Sequence, residues 1–236
     1  MKYKHLFFDL DHTLWDYDTS AKQTLYELYD RYDLDAAGAG GKELLLKCFY
    51  EVNDGLWDDY NKGNISKYYL RTERFNLVFA HMGINPKLLK KEQADGFNHD
   101  YVNECAQKPN LIEGALEVLD ELKSGFKLYI ITNGFVEVQQ TKIDVSGLTD
   151  YFDVVITSEE AGQKKPSAGI FKYATKKCGA IAEEAVMIGD NLQTDIKGAR
   201  DFGWDQVYFN PHSHLHSEDV THEIQRLPEL LPILTT

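Results

Sequence analysis

Two carboxylates stand two residues apart at the end of an apolar run: Asp9 and Asp11 in LFFDLDHTLWD, residues 6–16. A third acid, Asp190, ends the run AVMIGDN (185–191), and Thr132 and Asn133 end FKLYIITNG (126–134). Ligands of open parallel sheets bind beyond the carboxyl ends of the strands, so these ends should share one edge. Asp9, Asp11 and Asp190 are hard oxygen donors, the kind that Mg²⁺ takes together with waters and a substrate phosphate. A carboxylate can also be a nucleophile, as in aspartyl-phosphate formation. Two nearby carboxyls resist joint ionisation and their pKa values separate. One acid then stays ionised to attack, and the other carries a proton for the leaving oxygen. Lys165, in GQKKPSAGIF (162–171), stands before a helix start marked by Pro166. With the helix-start N–H groups and the Thr132 hydroxyl it makes an anion site. Phosphoryl transfer asks mainly for positioning and charge neutralisation, and this inventory supplies both.

The elements that must carry these residues are legible as alternating apolar runs and helical segments. Residues 4–10, 126–134, 152–160, 185–191 and 205–210 read as strands, with helical segments between the later ones. Such alternation predicts βαβ units and a doubly wound α/β domain around a parallel sheet. Residues 16–104 read instead as all helix. Thr19 and Ser20 are placed to cap a helix carrying Leu25, Leu28, Tyr29 and Tyr32. After the breaker AAGAGG (36–41) comes a face of Leu44, Leu45, Cys48, Phe49, Val52 and Leu56. Asn64 is placed to cap a third helix through Leu70, Phe75, Val78 and Phe79, which MGINP (82–86) ends. A fourth, less regular helix carries Leu88, Leu89, Phe97 and Tyr101. The expected division is a core of residues 1–15 and 105–236 with a helical insertion, residues 16–104.

The chain has 236 residues, 43% hydrophobic and 27% charged, with a formal net charge of −13. This is globular composition. The acidic balance repels nucleic-acid polymers and anionic membranes, yet leaves room for a small anionic substrate at a locally positive site. Three scattered cysteines, Cys48, Cys105 and Cys178, make no disulfide framework and no zinc spacing, and read as core thiols in a reducing compartment. No apolar run is long enough for a membrane span, and the N-terminal run is too short for a signal peptide, so the expected location is cytoplasmic, with the sequon Asn64-Ile65-Ser66 unused.

Four motifs in order now resemble the haloacid dehalogenase (HAD) superfamily. DLDHT (9–13) resembles its first motif, ITNG (131–134) its second, Lys165-Pro166 its third and GDNLQTD (189–195) its acidic fourth. The resemblance covers essentially the whole chain, and the insertion matches the family's helical C1 cap. It implies a Rossmann-like core and particular roles. Asp9 would attack phosphorus; Asp11 would protonate the leaving group and then activate water. Mg²⁺ would be held by Asp9, the main-chain carbonyl of Asp11 and Asp190. Thr132, Asn133 and Lys165 would hold phosphate oxygens, and Asp195 would support the metal shell or orient Lys165. Dehalogenases of this fold lack the acid at the position of Asp11, which favours a phosphatase. The third motif departs from the common Lys-Pro-Asp-Pro, continuing here as Ser167-Ala168, and the Pro alignment selects Lys165 over Lys164.

DHTLWDYD, GLWDDYNKGNIS, RTERF and TNGFVEVQ further resemble the pyrimidine 5′-nucleotidase branch, which implies a nucleoside monophosphate as substrate and a cap that opens and closes over it. Competing functions are a phosphatase of sugar phosphates, a phosphomutase, and a silent binding module, which the intact acid–acid–Lys–acid set argues against. The sequence leaves the oligomeric state open. Trp57 and Tyr60 read as packing residues, and Arg71 and Arg74 as surface or ion-pair residues. Trp15 is balanced between packing and substrate contact. His12 takes no catalytic role and Asn191 reads as a turn residue. His212, His214 and His216 read as a solvated loop rather than a metal cluster.

Overall fold

The computed structural model describes residues 2–84, 89 and 91–235. Leu88 and the Asn85-Pro86 pair, which figured in the helical expectations, lie outside the described residues. The chain forms two compact units, one of Met1–Tyr17 with Pro109–Thr236 and the other of Asp18–Lys108.

The second unit is built from α1 (Tyr17–Arg31), α2 (Lys42–Lys62), α3 (Lys67–His81) and α4 (Lys91–Ala106). Helix α1 begins upstream of its expected caps. Thr19 and Ser20 lie inside it, with Asp18 in the first turn, where a negative charge meets the positive helix end. Ser66 caps α3, its Oγ accepting from Tyr69 N at 3.1 Å. Asn64, the expected cap, instead turns its amide to Asp59 Oδ1 at 3.0 Å. The buried stripe of α2 is Leu45, Cys48, Phe49, Asn53, Leu56 and Tyr60, and Leu44 faces out.

Aromatic rings fill the middle of this unit. Phe75 lies 4.7 Å from Phe97 and Phe49 lies 5.1 Å from Tyr101. Arg74 is buried, not on the surface, with its guanidinium 5.6 Å from the Tyr101 ring centre. The planar cation rests on the ring face, a contact that tolerates desolvation. Trp57 meets Tyr60 edge to face at 5.6 Å, as packing residues do.

The first unit carries β1 (His5–Phe8), β2 (Lys127–Thr132), β3 (Val154–Thr157), β4 (Ala185–Gly189), β5 (Asp205–Phe209) and β6 (His222–Ile224). All pair in parallel, in the order β3-β2-β1-β4-β5-β6. This is the doubly wound α/β sheet that the alternating pattern predicts; β6, three residues without an apolar run, was not foreseen. Its helices are α5 (Ala115–Leu122), α6 (Val136–Val145), α7 (Ser158–Ala161), α8 (Ala168–Cys178), α9 (Lys197–Phe202) and α10 (Leu230–Thr235). One core layer joins Phe7, Tyr129, Ile131 and Met187 of the strands to Ile170 and Phe171 of α8. Phe7 stacks on Tyr129 at 4.7 Å and on Trp204 at 4.3 Å.

Strand order places the site. The chain lays β2 and β3 to one side of β1, then crosses to lay β4 on the other. The reversal opens a crevice beyond the carboxyl ends of β1 and β4, and Asp9 and Asp190 directly follow those two strands.

Candidate active site

Asp9 leaves β1 still tied to the sheet, its N–H bonded to Ile188 O at 2.9 Å. The chain then closes a tight loop. Leu14 N and Trp15 N both donate to Leu10 O, at 2.9 and 2.8 Å, and His12 N donates to Trp15 O at 3.0 Å. His12 takes a left-handed φ of 61°, uncommon for a residue with a side chain. The loop gives the two acids different surroundings. Asp9 faces Lys165, with Nζ 2.6 Å from Oδ1. Asp11 faces α6, where Lys142 Nζ reaches Oδ1 at 2.5 Å and Gln139 Nε2 reaches Oδ2 at 2.9 Å. Thr13, fully buried, donates to Asp190 Oδ1 at 3.2 Å.

Lys165 is placed from both sides. Asn133 accepts from Lys165 N at 2.8 Å and donates to Lys165 O at 2.9 Å, so its amide brackets the lysine backbone. The Asn133 side chain therefore acts on Lys165. Beyond Lys165, Ser167 caps α8 by accepting from Gly169 N at 3.2 Å, which covers the departure from Lys-Pro-Asp-Pro. The Lys165 ammonium also meets Asp195 Oδ1 at 2.7 Å. Asp195 belongs to a wide helical turn, Leu192–Ile196, in which Ile196 N reaches Asn191 O at 3.2 Å. Asn191 caps that turn through Gln193 N and Thr194 N, both at 3.0 Å, and is a turn residue as expected. Gly189 makes room for Asp195: a Cβ there would sit 2.3 Å from its Oδ2.

The Thr132 hydroxyl accepts from Gly134 N at 3.0 Å and from Gln139 Nε2 at 2.8 Å. Two donors fill its acceptor capacity and leave its own proton to donate outward. Gln139, Lys142 and Thr13 were not foreseen from the sequence. Gln139 and Lys142 lie three apart on one face of α6, and both are buried although polar. That spacing, directly after a strand ending in Thr-Asn-Gly, was the available sign.

Burial dominates the electrostatics. It drives the Asp9 carboxyl up to about 8, against the pull of Lys165 and with the push of Asp195 and Asp190. It drives Asp190 up to about 7, with Asp195 adding to the effect. At Asp11 burial also pushes up, but Lys142 and Gln139 outweigh it and hold the carboxyl below its usual range, so without a cation the order is the reverse of the expected one, in which Asp9 stays ionised and Asp11 carries the proton. Lys165 loses hydration, yet Asp195 and Asp9 keep its ammonium charged to well above the ordinary lysine value.

Carboxylate oxygens of Asp9, Asp190 and Asp195 gather within 4.8 Å of one another. Three acids around one lysine leave excess negative charge in a buried place, and the raised carboxyls register it. A hard divalent cation fits such a donor set. Trp15 is fully buried, with the Lys142 ammonium 4.3 Å from its ring centre. The three loop histidines do not converge: His212 and His214 are exposed, and His216 pairs with Glu223 at 3.2 Å.

An acid-lined crevice at the switch point of a parallel sheet, with a lysine set before a helix, places the molecule among the haloacid dehalogenase-like hydrolases. Residues 3–203 match that family, and the chain belongs to it. Among its relatives, the chain is 33% identical to the pyrimidine 5′-nucleotidase PynA of Streptococcus pneumoniae, over 99% of this chain and 96% of that protein. It is 30% identical to the pyrimidine 5′-nucleotidase YjjG of Escherichia coli, over 99% of both chains. The crystal structure of the putative HAD-hydrolase YfnB from Bacillus subtilis, bound to magnesium, matches all of both chains with a TM-score of 0.88 at 27% identity. Among the described residues, no helix is long and apolar enough to cross a membrane.

Proposed function

We propose that this HAD-family phosphatase hydrolyses nucleoside 5′-monophosphates, with Asp9 as nucleophile, Asp11 as acid and base, and Mg²⁺ as cofactor. The observation that carries the reading is the convergence of Asp9, Asp190 and Asp195 beyond the ends of β1 and β4, with Lys165 paired to Asp9 and Asp195. The nucleotide class rests on the full-length likeness to the two pyrimidine 5′-nucleotidases.

In this reading Asp9, Asp190 and the main-chain carbonyl of Asp11 would hold the cation, which would neutralise charge on the phosphoryl oxygens. Lys165 and the Thr132 hydroxyl hold the remaining oxygens. Asp9 attacks phosphorus as the ester oxygen departs with a proton from Asp11, which must first take that proton against the hold of Lys142 and Gln139. Asp11, now a carboxylate, takes a proton from the water that cleaves the aspartyl phosphate. Asp195 keeps Lys165 aimed, and Asn133 fixes the lysine backbone. The Asp18–Lys108 unit serves as the cap, and its aromatic interior supports its own fold.

The test is a panel of phosphorylated metabolites, nucleoside monophosphates and sugar phosphates together, ranked by kcat/KM with Mg²⁺ and with chelator. Acid quenching during turnover of a radiolabelled substrate should yield labelled protein from the wild type and none from Asp9→Asn. A preference for sugar phosphates would remove the nucleotidase assignment. Turnover by Asp9→Asn at the wild-type rate would remove the aspartyl-phosphate route.

A further inference from the structure

Three side chains of the helical unit, none of them used in the chemistry above, gather on one spot. Cys48 and Glu51 stand three apart on α2, a spacing at which helix residues are neighbours on one face. His81 ends α3. Cys48 Sγ, a Glu51 carboxylate oxygen and a His81 ring nitrogen all lie within 4.8 Å of one another. The pair at the solvent side is closer still, with His81 Nε2 2.8 Å from Glu51 Oε2. Cys48 belongs to the buried stripe of α2, whereas Glu51 and His81 are exposed. The sulfur is thus the inner donor, and the other two stand at the surface.

Geometry and chemistry both suit a zinc ion. Its bonds to nitrogen and oxygen run to about 2.0–2.1 Å and its bonds to sulfur to about 2.3 Å, at tetrahedral angles. Two ligands of one ion then stand about 3.3–3.6 Å apart. His81 Nε2 and Glu51 Oε2 need only open by about half an ångström, and the sulfur need close by little more than about 1 Å. Thiolate and imidazole select Zn²⁺ over Mg²⁺ and Ca²⁺, which take oxygen. One sulfur, one nitrogen and one oxygen leave a fourth position for water. The last turn of α3 carries His81, and the negative end of a helix favours a cation there. Lys47 approaches Glu51 only to 3.9 Å, a loose exposed pair that costs little to break. Burial and the Glu51 carboxylate push the Cys48 thiol up, so an incoming ion must displace its proton to solvent.

We propose that Cys48, Glu51 and His81 form a zinc site within the helical unit, which ties α2 to α3. The proposal stands apart from the phosphatase reading, because it uses none of the residues of the Asp9 site. On binding, the sulfur, the carboxylate oxygen and the imidazole nitrogen each donate an electron pair to the cation, the thiol proton leaves to solvent, and no electron is transferred. The competing account is an exposed His81–Glu51 pair lying over a core thiol, which would hold no ion.

Cobalt(II) separates the two on the full chain. It accepts the ligands of zinc and reports a sulfur ligand by a charge-transfer band in the near ultraviolet. The Asp9 site offers oxygen donors and gives no such band. With Mg²⁺ in excess, added Co²⁺ should raise the band in the wild type until one site per chain is filled, and Zn²⁺ should then bleach it. Cys48→Ser should abolish the band, whereas Cys105→Ser and Cys178→Ser should keep it. His81→Ala and Glu51→Gln change exposed side chains and should each weaken Co²⁺ binding by more than about 10-fold, the least that loss of even an outer partner of a ligand costs. These two variants decide the matter if Cys48→Ser fails to fold. A wild type that shows no band with Co²⁺ in excess, a band that survives Cys48→Ser, or an affinity unmoved in both surface variants would overturn the site.

Discussion

The Lys165 ammonium lies 2.6 Å from the Asp9 carboxylate, in a place where the lysine side chain is only 2% exposed. It is the cation that lets Asp9, Asp190 and Asp195 stand together. Removing one partner of a buried ion pair leaves uncompensated charge and costs about 3–5 kcal/mol. Lys165→Met should therefore abolish turnover and also lower stability by about 3 kcal/mol, read by urea denaturation. Lys164→Met, one residue away, should leave turnover within about threefold of the wild type, because the positioning bonds from Asn133 are all made to Lys165.

The raised carboxyls predict a coupling between pH, metal and stability. Burial holds Asp9 near 8 and Asp190 near 7, against an ordinary value of 3.8. Below that ordinary value both groups are protonated whether the chain is folded or not, and their contribution is complete. As pH rises through the folded values, the unfolded chain has already lost these protons while the folded chain still holds them. Stability of the metal-free protein should therefore fall as pH rises from about 4 to about 8. A bound divalent cation needs both groups ionised, so its binding should release protons and tighten with pH across about 6–8. Thermal melts over this range, with chelator and with Mg²⁺, should show the stabilisation by Mg²⁺ growing with pH. A metal effect independent of pH would contradict the assignment of these acids as ligands.

Asn133 predicts a rate effect without a binding effect of its own. Its amide closes two hydrogen bonds on the Lys165 backbone, at 2.8 and 2.9 Å. Asn133→Ala frees both backbone groups and lets Lys165 drift. A small misplacement of a catalytic group costs up to about 100-fold in rate. The expected result is a loss of kcat of about 10-fold to 100-fold with KM changed much less, read from steady-state kinetics on one nucleoside 5′-monophosphate.

The strand ends were legible in the sequence because each apolar run stops at a polar residue, and the sheet carries those stops to one edge. Asp9, Thr132 and Asp190 could be placed on that logic alone, and Lys165 by the helix start that Pro166 marks and its alignment with the family's third motif. What escaped it depends on contacts between distant segments. Gln139 and Lys142 grip Asp11 across more than a hundred residues of chain, and nothing local marks a buried lysine as a partner of a particular acid. Trp15 closes the loop after β1, but only the folded chain shows the Lys142 ammonium against its ring. The helix starts shifted for a related reason. Asn64 and Thr19 have the chemistry of caps, but Asn64 is claimed by Asp59, and α1 begins before Thr19. Strand β6 lacks any apolar run, and only its parallel pairing with β5 in the folded chain defines it.

Gly189 and Asp195 give the sharpest test of packing around the lysine. A methyl group at position 189 would sit 2.3 Å from Asp195 Oδ2 and 2.7 Å from its Cβ, distances no relaxed structure sustains. Gly189→Ala should expel the Asp195 carboxylate from its place beside Lys165 and so reproduce the defect of Asp195→Ala. The two defects have one cause, so they should not add. If each single variant lowers kcat/KM by a given factor, the double variant should lower it by about the same factor rather than by the product, since sites in contact are non-additive. Losses that multiply in the double variant would show that Gly189 acts on β4 itself, and that the carboxylate of Asp195 is not what the glycine protects.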